Sequence, residues 1–146
     1  MAKAPDDHSN VIVRLAAAAG MMNTYWQVVV SETKDGGAEV AAEVSVQDYD
    51  PGRSEERIRR LSAKELSAFW ASLEPLAWWR LADAGGGPTD QTFLTVFLRH
   101  GGRRLDIKCY GAPPEPQRTL VESIEELGGI RELFAQISKR GSAKDP

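Results

Sequence analysis

The sequence predicts an α+β domain in which helices pack on one face of an antiparallel sheet. The first two observations are two pairs of segments in which apolar and polar residues alternate: one pair flanks KDGG, and the other flanks Gly101 and Gly102. The third is that apolar stripes with helical spacing follow each pair. Alternation gives a strand one apolar face and helical spacing gives a helix one apolar side, so both kinds of element can share a core.

Length and composition suit one domain with a single core, because the chain has 146 residues, of which 42% are hydrophobic and 27% charged. We expect the domain at residues 11–140, between a flexible N-terminus at 1–10 and a flexible C-terminal tail at 141–146. The formal net charge of -3 offers nucleic acid no general electrostatic attraction.

The single cysteine, Cys109, and the N-terminal segment predict the compartment. One cysteine excludes an internal disulfide framework, which makes a reducing compartment, and hence the cytoplasm, the expectation. The apolar stretch after residue 10 follows Asp6 and Asp7 and contains Arg14. It is a poor signal peptide and too short to span a bilayer, so we expect no membrane association.

The first elements are one ambiguous segment and one hairpin. Residues 10–22 suit a short helix capped by Ser9 or a strand equally well. The runs TYWQVVVSET and AEVAAEVSVQ predict a hairpin, and a three-residue loop at 35–37 gathers their apolar side chains on one face. A two-residue loop would instead place Val28 opposite Glu43. The predicted pairs are Val30 with Ala42, Val28 with Val44 and Trp26 with Val46. RIRRL then suggests a short third strand.

LSAKEL predicts the start of a helix at Ala63, because Ser62 and Glu65 form a capping box. Leu61 and Leu66 occupy the flanking staple positions. The buried stripe is expected to comprise Leu66, Phe69, Trp70 and Leu73, and Pro75 ends the helix near Glu74.

LAWWRLAD follows this helix and places two tryptophans side by side. The two tryptophans follow Pro75 in an extended or loosely helical stretch, where neighbouring side chains diverge, so we expect either Trp78 or Trp79 to close the core and the other to be partly exposed. The buried indole N–H is expected to bond to the backbone, since a buried tryptophan usually finds a hydrogen-bond partner.

The second hairpin has a register that its own pattern supports. With Gly101 and Gly102 as a two-residue turn, one face gathers Leu98 with Leu105, Val96 with Ile107 and Leu94 with Cys109. The other face pairs Phe93 with Tyr110, Thr95 with Lys108 and Phe97 with Asp106. PQRTLVESIEEL then predicts a helix broken at Gly128 and Gly129, and IRELFAQISK predicts a last one.

Catalytic and metal-binding patterns are weak throughout the chain. The register separates Cys109 from His100, so Cys109 is interpreted as a buried, inert thiol. Two histidines without metal-ligand spacing make a zinc site improbable, and we expect no cofactor.

Three further motifs favour structural interpretations. GGGPT, residues 85–89, lacks the lysine of a phosphate-binding loop and is expected to be a flexible connection. DYD, residues 48–50, suits a turn. The carboxylates of Glu122, Glu125 and Glu126 are expected to lie on the solvated side of their helix.

The hairpin tip carries four basic residues, and the second hairpin also offers an aromatic face. The tip could meet an acidic partner, although a solvated strand edge explains it as well; its residues are Arg99, His100, Arg103 and Arg104. Aromatic rings surrounded by charges are typical of protein interfaces. The predicted partner-binding residues are Phe93, Phe97, Tyr110, Trp78, Arg99 and Arg104. The alternative is that the first hairpin or the N-terminal segment covers these rings as a second core.

These observations favour a non-catalytic protein-binding domain, either a monomer or a homodimer, without a nucleic-acid partner. A small-ligand-binding domain or an enzyme without a recognisable motif is the alternative. An enzyme should show a concave site with convergent polar groups and displaced pKa values, whereas a binder should show a flat aromatic patch with a polar rim.

The order YWQVVV, LSAKEL, AWWRLAD, the TDQTFLTVFLRHGGRRLDIKCYG hairpin and TLVESIEEL resembles small bacterial α+β domains. In layout, residues 25–127 resemble the emfourin-type inhibitors of thermolysin-like metalloproteases. The resemblance implies a non-catalytic binder. We carry over no inhibitory residue, because the glycine-rich N-terminal segment of those inhibitors has no counterpart here. Toxin-immunity proteins are similar in size and acidity.

Overall fold

The computed structural model describes residues 10–20, 23–47, 52–85 and 92–144, with side chains up to residue 139. The N-terminal residues 1–9, the motif DYD and most of GGGPT lie outside the described residues.

Seven strands form one sheet in the order β4-β3-β2-β1-β6-β7-β5, and three α-helices accompany it within the described part of the chain. The strands are β1 (Val11–Ala19), β2 (Thr24–Glu32), β3 (Ala38–Val46), β4 (Arg53–Leu61), β5 (Ala84–Gly85), β6 (Thr92–His100) and β7 (Arg103–Tyr110). The helices are α1 (Ala63–Leu73), α2 (Gln117–Gly128) and α3 (Ile130–Lys144). All neighbouring strands are antiparallel except β5 and β7. The predicted α+β class is confirmed.

Strand β1 resolves the ambiguity of residues 10–22 and lies in the middle of the sheet. It pairs with β2 on one side and β6 on the other. Its alanines favour helix in isolation, but here they fit between large neighbours. Ala17 lies between Trp26 and Leu94, and Ala18 lies between Tyr25 and Phe93.

The first hairpin forms as predicted, but its register differs by two residues. The observed pairs are Val30 with Val40, Val28 with Ala42 and Trp26 with Val44. The loop is longer than predicted because Asp35 draws residues on both sides into the turn. Its carboxylate accepts from the Thr33 hydroxyl and from the Gly37 N–H, at 3.1 Å from the latter. An even shift keeps every side chain on its predicted face.

The second hairpin has the predicted register on both faces. Gly101 and Gly102 form its turn with φ values of 59° and 79°, which only glycine adopts readily. Beyond the first hairpin, the strand predicted from RIRRL is longer than expected. It becomes β4, which lies at one edge of the sheet, and six of its nine residues are charged.

Helix α1 begins at the predicted capping box. The Ser62 hydroxyl accepts from the Glu65 N–H at 3.1 Å, and the Glu65 carboxylate accepts from the Ser62 N–H at 2.9 Å. The predicted stripe of Leu66, Phe69, Trp70 and Leu73 is buried. These contacts fix the direction in which the chain leaves β4.

The two faces of the sheet differ in what covers them. We call one the inner face: the odd-numbered residues of β1 from Val13 onward, of β4 and of β7, and the even-numbered residues of β2, β3 and β6. The residues of opposite parity form the outer face, which in β1 begins at Arg14. One core cluster joins inner-face residues to residues of all three described helices and contains no outer-face residue. The helices therefore pack on one face, as predicted.

Helices α2 and α3 meet at the predicted glycine break. A Cβ atom at Gly128 would lie 2.7 Å from Cγ2 of Val28, so α2 approaches the sheet more closely than a larger residue allows. Gly129 ends α2 with φ 71°. Helix α3 continues to Lys144, past the predicted domain boundary at residue 140. No described helix is long and apolar enough to cross a membrane.

The adjacent tryptophans diverge, as predicted. Trp78 is 0% exposed, whereas Trp79 is half-buried. Their rings meet edge to face with centroids 5.7 Å apart. The predicted hydrogen bond is wrong, since the Trp78 indole N–H has no partner among the described residues. The ring packs against the rings of Trp70 and Trp79.

We expect Trp78→Ala to lower the free energy of unfolding by about 3–5 kcal/mol, because it leaves a large cavity in the core. Trp79→Ala is the matched control and should lower it by roughly 1 kcal/mol, because the ring is half-buried. Urea denaturation of both variants measures the difference. Equal losses would contradict the unequal packing of the two rings.

Candidate functional site

The outer face carries the exposed large hydrophobic residues of the described chain. They are Tyr25, Ile58 and Tyr110, which are 51%, 64% and 56% exposed. All three have outer-face parity, although they belong to three different strands. An exposed apolar residue alone is ordinary, but the restriction of all three to one face marks a surface.

The hydrogen-bond register places aromatic side chains in one row across the outer face. The row runs from Tyr25 through Ala18 and Phe93 to Tyr110. The Phe93 and Tyr110 rings have centroids 5.0 Å apart. Because the Ala18 side chain is small, the surface is lower between the rings of Tyr25 and Phe93.

A small cavity lies one pleat along the strands from this row. It has a volume of about 130 Å³, and its lining includes Ala16, Tyr25, Gln27 and Glu43. A volume of this size is well below the range of about 300–1,000 Å³ of ordinary ligand pockets. The outer face is thus a nearly flat surface with aromatic contacts.

Charged residues are unevenly distributed over the outer face. On β3 and β4 the outer residues include Glu39, Glu43, Glu56 and Arg60. On β1, β6 and β7 they include Arg14, Arg99, Arg104, Lys108 and Asp106. One half of the face is therefore acidic and the other half basic, with the uncharged outer residues of β2 between them.

The structure brings five of the six predicted partner-binding residues to this face. Tyr110 and Arg104 are exposed there, whereas Phe93 and Arg99 are half-buried. Phe97 also has outer-face parity, but it is only 7% exposed. The Arg104 guanidinium carbon lies 5.0 Å from the centre of its ring. Phe97 therefore supports the surface from below.

Trp78 does not belong to the surface, and its prediction as a partner-binding residue is wrong. Its side chain is 0% exposed and packs into the core cluster that covers the inner face. The sequence analysis missed two surface residues, Tyr25 and Ile58. Strand parity was the available signal, because both alternate with inward-facing residues.

The four basic residues of the hairpin tip have contacts on both faces of the sheet. The inner pair meets aromatic rings: His100 stacks on Trp70 at 4.3 Å between centroids, and the Arg103 guanidinium carbon lies 3.6 Å above Trp79. Arg103 also lies 3.6 Å from Glu74. On the outer face, Arg99 donates to the Val11 carbonyl at 3.1 Å. The tip therefore contacts the rest of the domain while His100, Arg103 and Arg104 remain exposed, which is compatible with the solvated strand edge considered above.

A second concave region lies between α2, α3 and the inner face. Its volume is about 660 Å³, and its lining includes Trp26, Glu122, Glu125, Arg131 and Phe134. The Trp26 indole N–H donates to the Glu125 carboxylate at 2.7 Å. Burial raises the pKa of Glu125, while the hydrogen bond from Trp26 acts in the opposite direction and the nearby charge of Glu122 adds to the increase.

The prediction of three solvated carboxylates on α2 therefore needs one correction. Glu122 and Glu126 are exposed, but Glu125 is half-buried. Its partner Trp26 is 99 positions away in the chain. Among the described residues, no group of three histidine, cysteine, aspartate or glutamate side chains could hold a metal ion.

Cys109 is buried beside Leu94, as predicted, and is 0% exposed. Burial raises the pKa of the Cys109 thiol, the charge of Asp83 adds to the increase, and a backbone hydrogen bond at Ala84 opposes it. His100 lies at the far end of β6, so the two side chains do not form a nucleophilic pair.

We expect Glu125→Gln to become stabilising, relative to the unchanged protein, as the pH rises. The raised pKa of Glu125 means that folding favours the protonated carboxyl. Its stabilising contribution is present below the unfolded pKa and is lost as the pH rises through the folded pKa. Glutamine stays neutral and can still accept from Trp26. Urea denaturation between pH 4 and pH 8 tests this, and a difference that is constant over that range would contradict it.

We expect the Cys109 thiol to react with a disulfide reagent roughly a hundredfold more slowly in the folded protein than in urea. Burial removes both access and the thiolate form. Absorbance at the wavelength of the released thiolate measures the rate. Equal rates in buffer and in urea would show that the site is accessible.

Comparison with known proteins adds no family to this geometry. No family model matches the chain, and no curated protein matches it. The similarity in layout to emfourin-type inhibitors remains a prediction.

Proposed function

We propose that this protein is a non-catalytic protein-binding domain that uses the outer face of its sheet. The observation that carries the proposal is the placement of all three exposed large hydrophobic residues of the described chain on that face. No described helix covers it, since the core cluster lies wholly on the inner side. Apolar contacts on an uncovered sheet face are a typical site for another protein.

The shape and composition of the outer face suit a protein partner better than a small molecule. Its cavity of about 130 Å³ cannot enclose a ligand of ordinary size. Tyrosine is enriched where partners dock, because its ring supplies contact area and its hydroxyl supplies a hydrogen bond. The charged residues around Tyr25 and Tyr110 provide the polar rim of such an interface.

The concave region beside Trp26 is the observation that favours the alternative, a small-ligand site or an enzyme. It is large enough for a ligand, at about 660 Å³, and Glu125 there has a raised pKa. We rank it second because the Glu125 carboxylate is already hydrogen-bonded to Trp26. Among the described residues that line it, only glutamates could serve as a nucleophile or base, because no histidine, cysteine, serine or threonine is present there.

Inhibition or immunity is the form of binding that the layout and charge suggest. Inhibitors and immunity proteins act by covering a surface of their target and need no chemistry of their own. The resemblance to emfourin-type inhibitors and the acidity of the chain support this assignment, as does the flatness of the outer face. The single cysteine supports a cytoplasmic setting.

We expect a photoreactive phenylalanine analogue in place of Tyr25 or Tyr110 to crosslink protein in an extract of the source organism. The same analogue in place of Lys64, an exposed residue of α1, is the control and should give no such adduct. Mass spectrometry identifies the crosslinked species. Adducts that are equally frequent at Lys64, or absent at both tyrosines, would contradict the outer face as the binding surface.

A further inference from the structure

The outer face has two halves of opposite charge, separated by a neutral strip. The half on β3 and β4 contains three glutamates and one arginine, whereas the half on β1, β6 and β7 contains four basic residues and one aspartate. The outer residues of β2 between them carry no charge. When one copy is turned over, its net acidic half lies over the net basic half of the other copy.

A two-fold axis parallel to the strands, between β1 and β2, performs this turn. It places β3 and β4 of one copy over β6 and β7 of the other, because it reverses the order of the strands. Positions along the strands are kept, so residues in one row of the sheet meet each other. Every contact then occurs twice, as in any isologous interface.

The row that contains Glu56 shows the charge match. In register it passes through Glu43, Gln27, Ala16 and Thr95 to Lys108 at the far side. Reversal places Glu56 over the partner's Lys108. Both side chains are exposed in the single chain and can adjust to the angle of about 30° at which two sheets pack.

The aromatic row shows a match in size. It continues from Tyr25 through Ser45 to Ser54 on the other side. Reversal places Tyr25 over the partner's Ala18 and Ser45 over the partner's Phe93. Large side chains therefore meet small ones, which is the condition for close packing between two sheet faces.

The area of the outer face is sufficient for a stable pair. Strands of nine residues are about 30 Å long, and six strands are about 25 Å wide at the usual spacing between strands. The face therefore measures about 750 Å², close to the roughly 800 Å² per partner of a standard interface.

We propose that the partner of the outer face is a second copy of this chain, and that the two copies form a homodimer across the axis described above. The inference rests on the proposed function, because it keeps the outer face as the binding surface, but it names a second copy in place of a foreign target as the occupant. It predicts that the dimer weakens as the salt concentration rises, since its halves attract through charge.

Two single charge reversals test the arrangement. Glu56→Lys places a lysine over the partner's Lys108, and Lys108→Glu places a glutamate over the partner's Glu56, so each variant repels its own copy. Sedimentation velocity on the full chain should show a dimer for the unchanged protein at low salt. For each variant alone the dissociation constant should rise about tenfold or more. An equimolar mixture should recover the dimer, because each basic copy then meets an acidic one.

Each other outcome overturns the inference in a recognisable way. A dimer that survives Lys108→Glu would place the contact elsewhere, such as the β4 edge. A mixture that stays monomeric would show that Glu56 does not face Lys108. If the unchanged protein is a monomer but Tyr25 crosslinks a foreign protein in the extract, the inference fails and the proposed function stands. Without either dimer or adduct, both fail.

Discussion

The double pairing of strand β1 is the constraint on which the rest of the structure depends. It joins the meander β2–β4 to the hairpin β6–β7, so two separate hairpins become one sheet. A lone hairpin is marginally stable in water, and only the joined sheet offers a face wide enough to bury three helices. The parity of β1 also decides which side of every other strand faces the core. Its small alanines let the bulky residues of β2 and β6 lie on either side of it.

In this arrangement the two faces of the sheet are covered unequally. The inner face is filled by helices, two of which approach closely through Gly128 and through the cluster around Trp78. The outer face also carries apolar residues, which alternate along each strand with the inner-face residues and which no described helix covers. On the inner face, the hydrogen bond from Trp26 to Glu125 joins the sheet to α2.

Local patterns predicted the elements well because the determining contacts are close in sequence. The capping box at Ser62 and the turn at Gly101 and Gly102 both follow from residues a few positions apart. The register of the second hairpin followed from matching apolar faces. In the first hairpin the same rule chose the correct faces but the wrong pairs, because the Thr33–Asp35 contact within the loop changed its length.

The surface was harder to predict because it depends on contacts between distant segments. The burial of Glu125 requires Trp26, and the row from Tyr25 to Phe93 requires β1 between two hairpins. The sequence pattern within one strand reveals neither the burial of Glu125 nor the row from Tyr25 to Phe93. The aromatic face of β6 and β7 was visible because one hairpin contains it, whereas Tyr25 and Ile58 joined it only through the order of the strands.

Strand β4 has a further consequence for how such molecules can associate. An exposed sheet edge can add strand after strand without end, which is how soluble domains turn into fibres. Six charged side chains on β4 oppose that growth, since a neighbouring strand would have to match both signs on both of its sides. The molecule thus opposes strand addition along β4, while no described helix covers its outer face.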